Sequence, residues 1–582
     1  MSDRVAPHDL TAERAVLGAV LIEPEMFDVA EASGLRAVHF FRVAHRQLWE
    51  GFGRIRATGQ SIDAVTVRAD LETAGTLDDI GGLAYVVGLT DGVPRAVNVE
   101  GYAPAGYVWP SDKPTRGVSP LHDSGTGSSS GSYGNFCIMP ILCADNELDA
   151  CTTLLEPRER MRRNGTDHGR PGYFTTTLDN GIRVVTEQMD SVRSVSTGVW
   201  VGVGARDESE ALSGASHFLE HLLFKGTQRR SALDIAADIE GLGGEINAFT
   251  TKEYTCYHVR LLDEHLDVAI DVLSDMLGGS LLRHSDIEAE RAVVLEEIAM
   301  SEDDPLDLAR TELERAMFHG HPLGAPVAGT TASVSAMRNA AIRGHYRRYY
   351  TPDNYVVTAV GSASHRRVVS LVTKAFGKAA EPVRAPKAVK APQQPHGGQQ
   401  RLSRAFEQIN VLRGYPGLPR PDSRRYAMSV LHTILGGGMS SRLFQEVREH
   451  RSLAYSVSAF RSGYSDAGVF GVHAGCAPEK LDQTREVIEA VLHEAATAGL
   501  SDAEVQAAKN QVKGQMVLDL EDPGMRLMRL GTRALFGEPI IGLTEGLSRV
   551  DAVSTRDVCD LAEEILSLPA VEVVVGPSEV SA

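Results

Sequence analysis

The segment His217-Phe218-Leu219-Glu220-His221 holds two imidazoles four residues apart, with a carboxylate between them. On a helix at 100° per residue, Glu220 and His221 lie about 300° and 400° round from His217, so the three side chains share an arc of about 100°. Two neutral imidazoles at this spacing suit one zinc ion, and the carboxylate can take a proton from a water on that ion. Glu220 is therefore the general-base candidate. Composition alone yields such a motif in roughly 0.04 of random chains of this length, so its surroundings must be weighed. Phe218, Leu219, Leu222 and Leu223 supply the apolar residues of a buried helix. Two His leave a metal short of a third protein ligand. Glu297, in ERAVVLEEIAM, is a candidate, with Glu290 two turns earlier on the same face. Taken alone, that run reads as a solvated acidic helix face. His319 and His321, with no carboxylate or Cys at ligand spacing, read as turn residues. Cys137, Cys143 and Cys151 are too widely spaced for a zinc knuckle and read as ordinary thiols.

The chain around the motif has 582 residues, 43% of them hydrophobic, and a net charge of 58 − 77 = −19. That length predicts two to four domains. The acidic balance argues against direct nucleic-acid binding and against an anionic membrane surface, both of which need a cationic face. No run of about eighteen apolar residues predicts a membrane span. Six Cys do not make a disulfide scaffold, and MSDRVAPHDL lacks the pattern of a signal peptide. The expected setting is reducing and cytoplasmic. Residues 1–102 carry helical periodicity and nine Arg, no Lys and fifteen acids, an all-α domain without a basic face. Residues 103–171 begin Pro/Gly/Ser-rich and aperiodic, the composition of a disordered linker. From 172 onward, strand-like runs alternate with amphipathic helical runs, the pattern of an α+β fold. SDIEAERAVVLEEIAMSEDDP from Ser285 aligns with SDAEVQAAKNQVKGQMVLDLEDP from Ser501, and VVTAVG with VEVVVG. Two copies of one unit follow, 172–380 and 402–582, joined by a Pro/Lys/Gly segment at 381–401.

The inverted H-x-x-E-H, the Glu seventy-six residues after the second His and the duplicated unit resemble the pitrilysin family of metallopeptidases, most closely its mitochondrial processing peptidase branch and bacterial relatives. TLDNGIRVVTE, SHFLEHLLFKGT, NAFTTKEYTCYHV, YYTPDNYVVTAVG and GGGMSSRLFQEVREHRSLAYS carry the likeness through most of 173–577. It implies a clamshell of two homologous halves and one Zn2+ per chain on His217, His221 and Glu297, supported by Glu290. Glu220 would be the base. Asn247, Ala248, Phe249 and Thr250 would border an edge strand that aligns an extended peptide. In the register of Ser285 and Ser501 the position of Glu297 falls on Lys513, so only the first half holds metal. Arg448 and Tyr455 stand at the spacing of a family pair that closes over substrate; their spacing alone reads as a surface Arg and a half-buried Tyr. GGGMSS, in a chain without G-x-x-x-x-G-K-[ST], reads as a turn between helices.

Residues 7–102 resemble a different protein, the N-terminal domain of the DnaB-type replicative helicase, through PHDLTAERAVLGAVLIEPEMFDVA, HFFRVAHRQLWEGF and GGLAYVVGLTDGVPRAVNVEGYA. With no motor fold or phosphate loop after it, helicase activity is excluded. A genuine fusion that contacts replication proteins and a chimeric reading frame are both compatible with this front end. The expected function is a zinc endopeptidase acting on short or unfolded, basic peptides. The competing reading is a non-catalytic interaction protein built on the helicase-like segment. Monomer, homodimer and heterodimer all stay open, and a His/His/Glu set also accepts Co2+ or Mn2+.

Overall fold

The computed structural model describes residues 172–377, 391–393 and 395–578, and ahead of them 10–22, 24–32, 35–37, 40, 42–58, 61–62, 64–76, 86 and 89. The expected linker 103–171 with Cys137, Cys143 and Cys151, and residues 381–390 of the joining segment, lie outside the described residues. The chain divides into two compact units, 1–154 and 155–582.

The first unit is helical: Leu10–Ile22, Met26–Ala32, Val43–Ala57 and Ala64–Ala74. Its core combines aliphatic residues such as Leu17, Leu48 and Leu71 with the buried aromatics Phe27, Trp49 and Phe52, the Phe27 and Trp49 rings lying 4.8 Å apart. Glu13 and His45 meet inside it at 2.6 Å.

The second unit contains two mixed sheets with the same wiring. The first has strands β1 (Tyr173–Thr177), β2 (Arg183–Gln188), β3 (Ser194–Val201), β4 (Glu245–Thr250), β5 (Thr255–Leu262) and β6 (Tyr355–Gly361), in the order β1-β2-β6-β3-β5-β4. The second has β7 (Gly398–Ser403), β8 (Ile409–Pro416), β9 (Ala454–Gly463), β10 (Gly468–Cys476) and β11 (Val571–Gly576), in the order β7-β11-β8-β10-β9. In each, one pair is parallel (β2 with β6, β7 with β11) and the remaining pairs are antiparallel. Among the described residues the second sheet thus repeats the first without a counterpart of β1. Strand β7 opens inside the segment read from composition as a joiner, because GQQRLS has no apolar residue except Leu402 to announce a strand. The β6 and β11 runs, VVTAVG and VEVVVG, are buried along their length, as central strands covered on both faces must be.

Each half lends a helix to the other. Helix Pro305–Met317 leaves the first half and packs Leu308, Leu313 and Met317 on Leu412, Val571 and Val573 of the second sheet. Its counterpart, Pro523–Leu535, packs Leu527, Leu530 and Ala534 on Val185, Trp200 and Val356 of the first. An Asp caps the start of each, Asp304 and Asp522, followed by Pro at the first helical position, where no amide donor is needed. Gly531 is required there: a Cβ would lie 1.8 Å from the fully buried Trp200 ring. This reciprocal exchange ties the halves together beside the cleft that carries the chemistry.

Candidate metal centre

Helix Ala215–Leu223 presents the motif. Its apolar face, with Phe218, Leu219, Leu222 and Leu223, is buried, while His217, Glu220 and His221 remain partly accessible on the other. The helix must start where it does. Gly214 has φ 94°, and a Cβ would lie 2.5 Å from the Ala328 carbonyl oxygen. The buried Glu208 carboxylate accepts from the Gly214 and Ser216 amides at 2.7 and 2.6 Å, satisfying donors that open the helix.

Glu297 comes from helix His284–Asp303, which packs beside the motif helix. Its oxygens lie 3.5 Å from His217 Nε2 and 3.5 Å from His221 Nε2. Ligand atoms held tetrahedrally about 2.0–2.1 Å from one ion are about 3.3 Å apart, close to the two separations at Glu297, and all three ligand atoms lie within 4.8 Å of one another. They are the one group of three or more metal-capable side chains among the described residues. Glu290, 5% exposed, accepts from His221 Nδ1 at 3.2 Å and pairs with Lys225 Nζ at 2.5 Å. A carboxylate on Nδ1 fixes the ring and leaves Nε2 for the metal. His217 Nδ1 is buried with no hydrogen-bond partner among the described residues. Without a cation between them these groups act on each other. Glu290 and then Glu297 push His221 up to about 9 against the effect of burial. Hydrogen bonds to His217 and His221 hold Glu297 well below the usual carboxylate range. For Glu290, burial works upward but His221 and Lys225 outweigh it, and the group is held low.

Glu220 is oriented by Thr250, whose hydroxyl donates to Oε2 at 2.6 Å. Thr250 ends β4, which among the described residues pairs only with β5 and leaves the other side of its ladder open. The Ala248 amide donates to the Asn247 side chain at 2.8 Å. His217, Glu220, Ala248, Phe249, Thr250 and Glu297 share a cleft of about 570 Å³, whose far wall is the lent helix Pro305–Met317 and the loop 326–330.

Arg448 and Tyr455 meet each other but do not line this cleft. The Arg448 guanidinium lies 5.3 Å from the Tyr455 ring centre and 4.7 Å from that of Phe444. Tyr455 is 51% exposed on β9, the edge strand that corresponds in topology to β4. In the second half Lys513 binds Asp551 at 2.7 Å. GGGMSS starts at the last residue of helix Arg425–Gly436 and leads toward the π-helical segment Phe444–Glu449. His321 accepts from the Leu323 amide at 3.1 Å and caps a short turn. Two contributors escaped the sequence reading. Lys225 carries a signal, one helical turn past His221. Glu208 carries none, since only folding brings it under the helix start.

Comparison with known proteins agrees with this geometry. Residues 183–331 match the family model for insulinase (peptidase family M16), and 337–512 the model for the peptidase M16 inactive domain. Residues 5–105 match the DnaB-like helicase N terminal domain. A further match, to the N-terminal domain of glycosyl hydrolase family 92, spans 72–187, most of it outside the described residues. An uncharacterized zinc protease of Streptomyces coelicolor is 46% identical over 71% of this chain and 91% of its own. Another, from Mycobacterium tuberculosis, is 44% identical over 69% and 92%. A Bacillus subtilis zinc protease is 37% identical over 69% and 98%. The crystal structure of a Helicobacter pylori protease shares the fold at TM-score 0.66 and 23% identity, covering 70% of this chain and 100% of that one.

Proposed function

This chain belongs to peptidase family M16 as a zinc protease with two M16 domains, and from that premise we propose that it cleaves extended, basic peptides laid along β4. The observation that carries this reading is the convergence of His217, His221 and Glu297 beside a carboxylate that is itself bonded to the edge strand. His217 and His221 through Nε2, and Glu297 through its carboxylate, would hold the zinc, with Glu290 keeping the His221 ring in place. When bound, the zinc supplies a Lewis acid for the scissile carbonyl and for water. Glu220, steadied at Oε2 by Thr250, would take the proton of the attacking water and return it to the leaving amine. The open side of β4, from Asn247 to Thr250, would pair with the substrate main chain and hold it extended. Arg448 and Tyr455, paired outside the cleft lining, would donate to a peptide carbonyl only once the second half closes over the substrate.

The charge along the cleft supports a basic substrate. Lys252 is matched by Glu314, Arg310 by Asp307 and Arg315 by Glu312. Glu302, also in the wall, has no cationic partner within 4.0 Å among the described residues.

Metal content and cleavage of a quenched basic peptide by wild type and Glu220→Gln test the reading. Wild type is expected to carry one zinc per chain, and the variant to keep the zinc and lose at least about 10²-fold in kcat. Equal cleavage by the variant, or a wild type without stoichiometric zinc, overturns it. Glu302→Gln should narrow the preference for a basic over an acidic peptide; an unchanged preference removes the substrate class from the proposal.

A further inference from the structure

Away from the metal centre, the helix Pro523–Leu535, the strand end at Arg461 and the loop after β8 enclose a hollow of about 300 Å³. Its wall carries Arg420, Arg425, Arg461, Arg529 and Arg533 against one acid, Glu538. Arg420 is matched by Glu253 at 2.6 Å, and Arg425 by Glu538 at 3.2 Å. The other three have no carboxylate within 4.0 Å among the described residues. Arg529 donates to the Ile541 carbonyl, and Arg533 to that of Pro539 at 2.7 Å, which fixes both head groups. Each guanidinium has five N–H donors, so both keep several in reserve. The Arg461 side chain makes no hydrogen bond or ion pair among the described residues.

Three unmatched cations in one concavity are costly in a chain whose net charge is −19. Arg461 is an exposed residue, but the desolvation that the hollow imposes on its guanidinium holds it below its ordinary pKa. Burial does the same at Arg533, where Arg425 and Arg529 add like-charge repulsion. An anion brought into the hollow removes that repulsion. Planar guanidinium forks match phosphoryl oxygens two at a time. The volume is at the small end for ligand sites, about 300 Å³. The helix supplies the pattern itself: Arg526, Arg529 and Arg533 recur at i, i+3 and i+7 on one face, and Glu187 takes only the first.

We propose that this hollow binds a small, multiply charged phosphate anion of pyrophosphate size, held by Arg461, Arg529 and Arg533. The proposal is independent of the peptidase chemistry. Calorimetric titration of the full chain with pyrophosphate at about 50 mM salt tests it. A Kd below about 1 mM is expected, weakened about tenfold in Arg461→Gln and in Arg529→Gln. Arg461 holds nothing else in place, so its variant should keep the wild-type Tm. ADP run in parallel separates the sources: tighter binding than pyrophosphate supports a nucleotide's phosphate chain, and equal binding supports the free anion. Pyrophosphate can also attack a zinc site, but that would leave the Kd unchanged in both arginine variants, and this result overturns the proposal. So does an absence of saturable binding by about 5 mM, or acetate binding as tightly as pyrophosphate.

Discussion

Glu290→Gln separates two opposed effects of one carboxylate on the metal centre. In the metal-free protein His221 is pushed up to about 9, chiefly by Glu290. At pH 7 it therefore carries a proton that must leave before Nε2 can bind a metal. Removing that proton two pH units below its pKa costs about 3 kcal/mol, roughly a hundredfold in apparent zinc affinity. Wild-type affinity should accordingly rise about tenfold per pH unit from 7 to 9. The Gln variant loses the group that orients the ring, a loss of about 10–100-fold. It also relieves the proton competition. If Glu290 supplies half of the rise from 6.5, the relief at pH 7 is about 1.7 kcal/mol, or about twentyfold. The two terms nearly cancel at pH 7, whereas above pH 9 only the orientation term survives. Chelator-buffered zinc titrations should therefore show a variant within a few fold of wild type at pH 7 and about 10–100-fold weaker at pH 9.5. A deficit of the same size at both pH values, or none at pH 9.5, would refute the reasoning. Stability of the metal-free protein gives a second reading. A His raised in the folded state stabilises fully below about 6.5, and that contribution is lost as pH rises through about 9. The variant should flatten this part of the curve.

Gly531→Ala should destabilise the contact between the halves by about 3 kcal/mol, at the top of the usual overpacking range. Its Cβ would lie 1.8 Å from Trp200, which is fully buried and bonded through Nε1 to Thr358 at 2.8 Å, so the ring cannot yield cheaply. Urea unfolding beside Gly514→Ala, where nothing lies within 4 Å, checks this, and equal midpoints for the two variants would contradict it. Burial pushes Glu208 up to about 7. A carboxyl raised in this way stabilises fully below its unfolded pKa, near 4.5, and that contribution fades as pH rises through about 7. His345 and His473, both pulled down to about 4 by burial, work in the opposite sense, so the diagnostic quantity is the Tm of wild type minus that of Glu208→Gln. That difference should fall between pH 4.5 and 7, by up to about 3 kcal/mol in stability; parallel curves would show that Glu208 does not titrate there.

The periodicity that places His217, Glu220 and His221 on one helix face is local, so it was legible from spacing alone. The duplication was legible too, because two copies of one sheet need the same buried central strand, and VVTAVG and VEVVVG recur. Strand β7 was not, since its exposed polar residues have no alternation to read. The partnership of Arg448 with Tyr455 could be guessed from a family pattern, but their place outside the cleft lining could not.

Sequence by itself determined that His217, Glu220 and His221 share one helix face and that no second H-x-x-E-H follows, because these depend on residue type and helical spacing; Glu297 was named as third ligand only by family resemblance. Tertiary structure decided the rest. The 3.5 Å separations at Glu297 and the grip of Glu290 on His221 arise between residues about seventy to eighty positions apart. The exchange of helices between halves is of the same long-range kind, and the Glu208 cap, six and eight positions from the amides it holds, also depends on how its loop packs under the helix. Such contacts are set by how whole elements pack, and no local period in the chain records where two elements will meet.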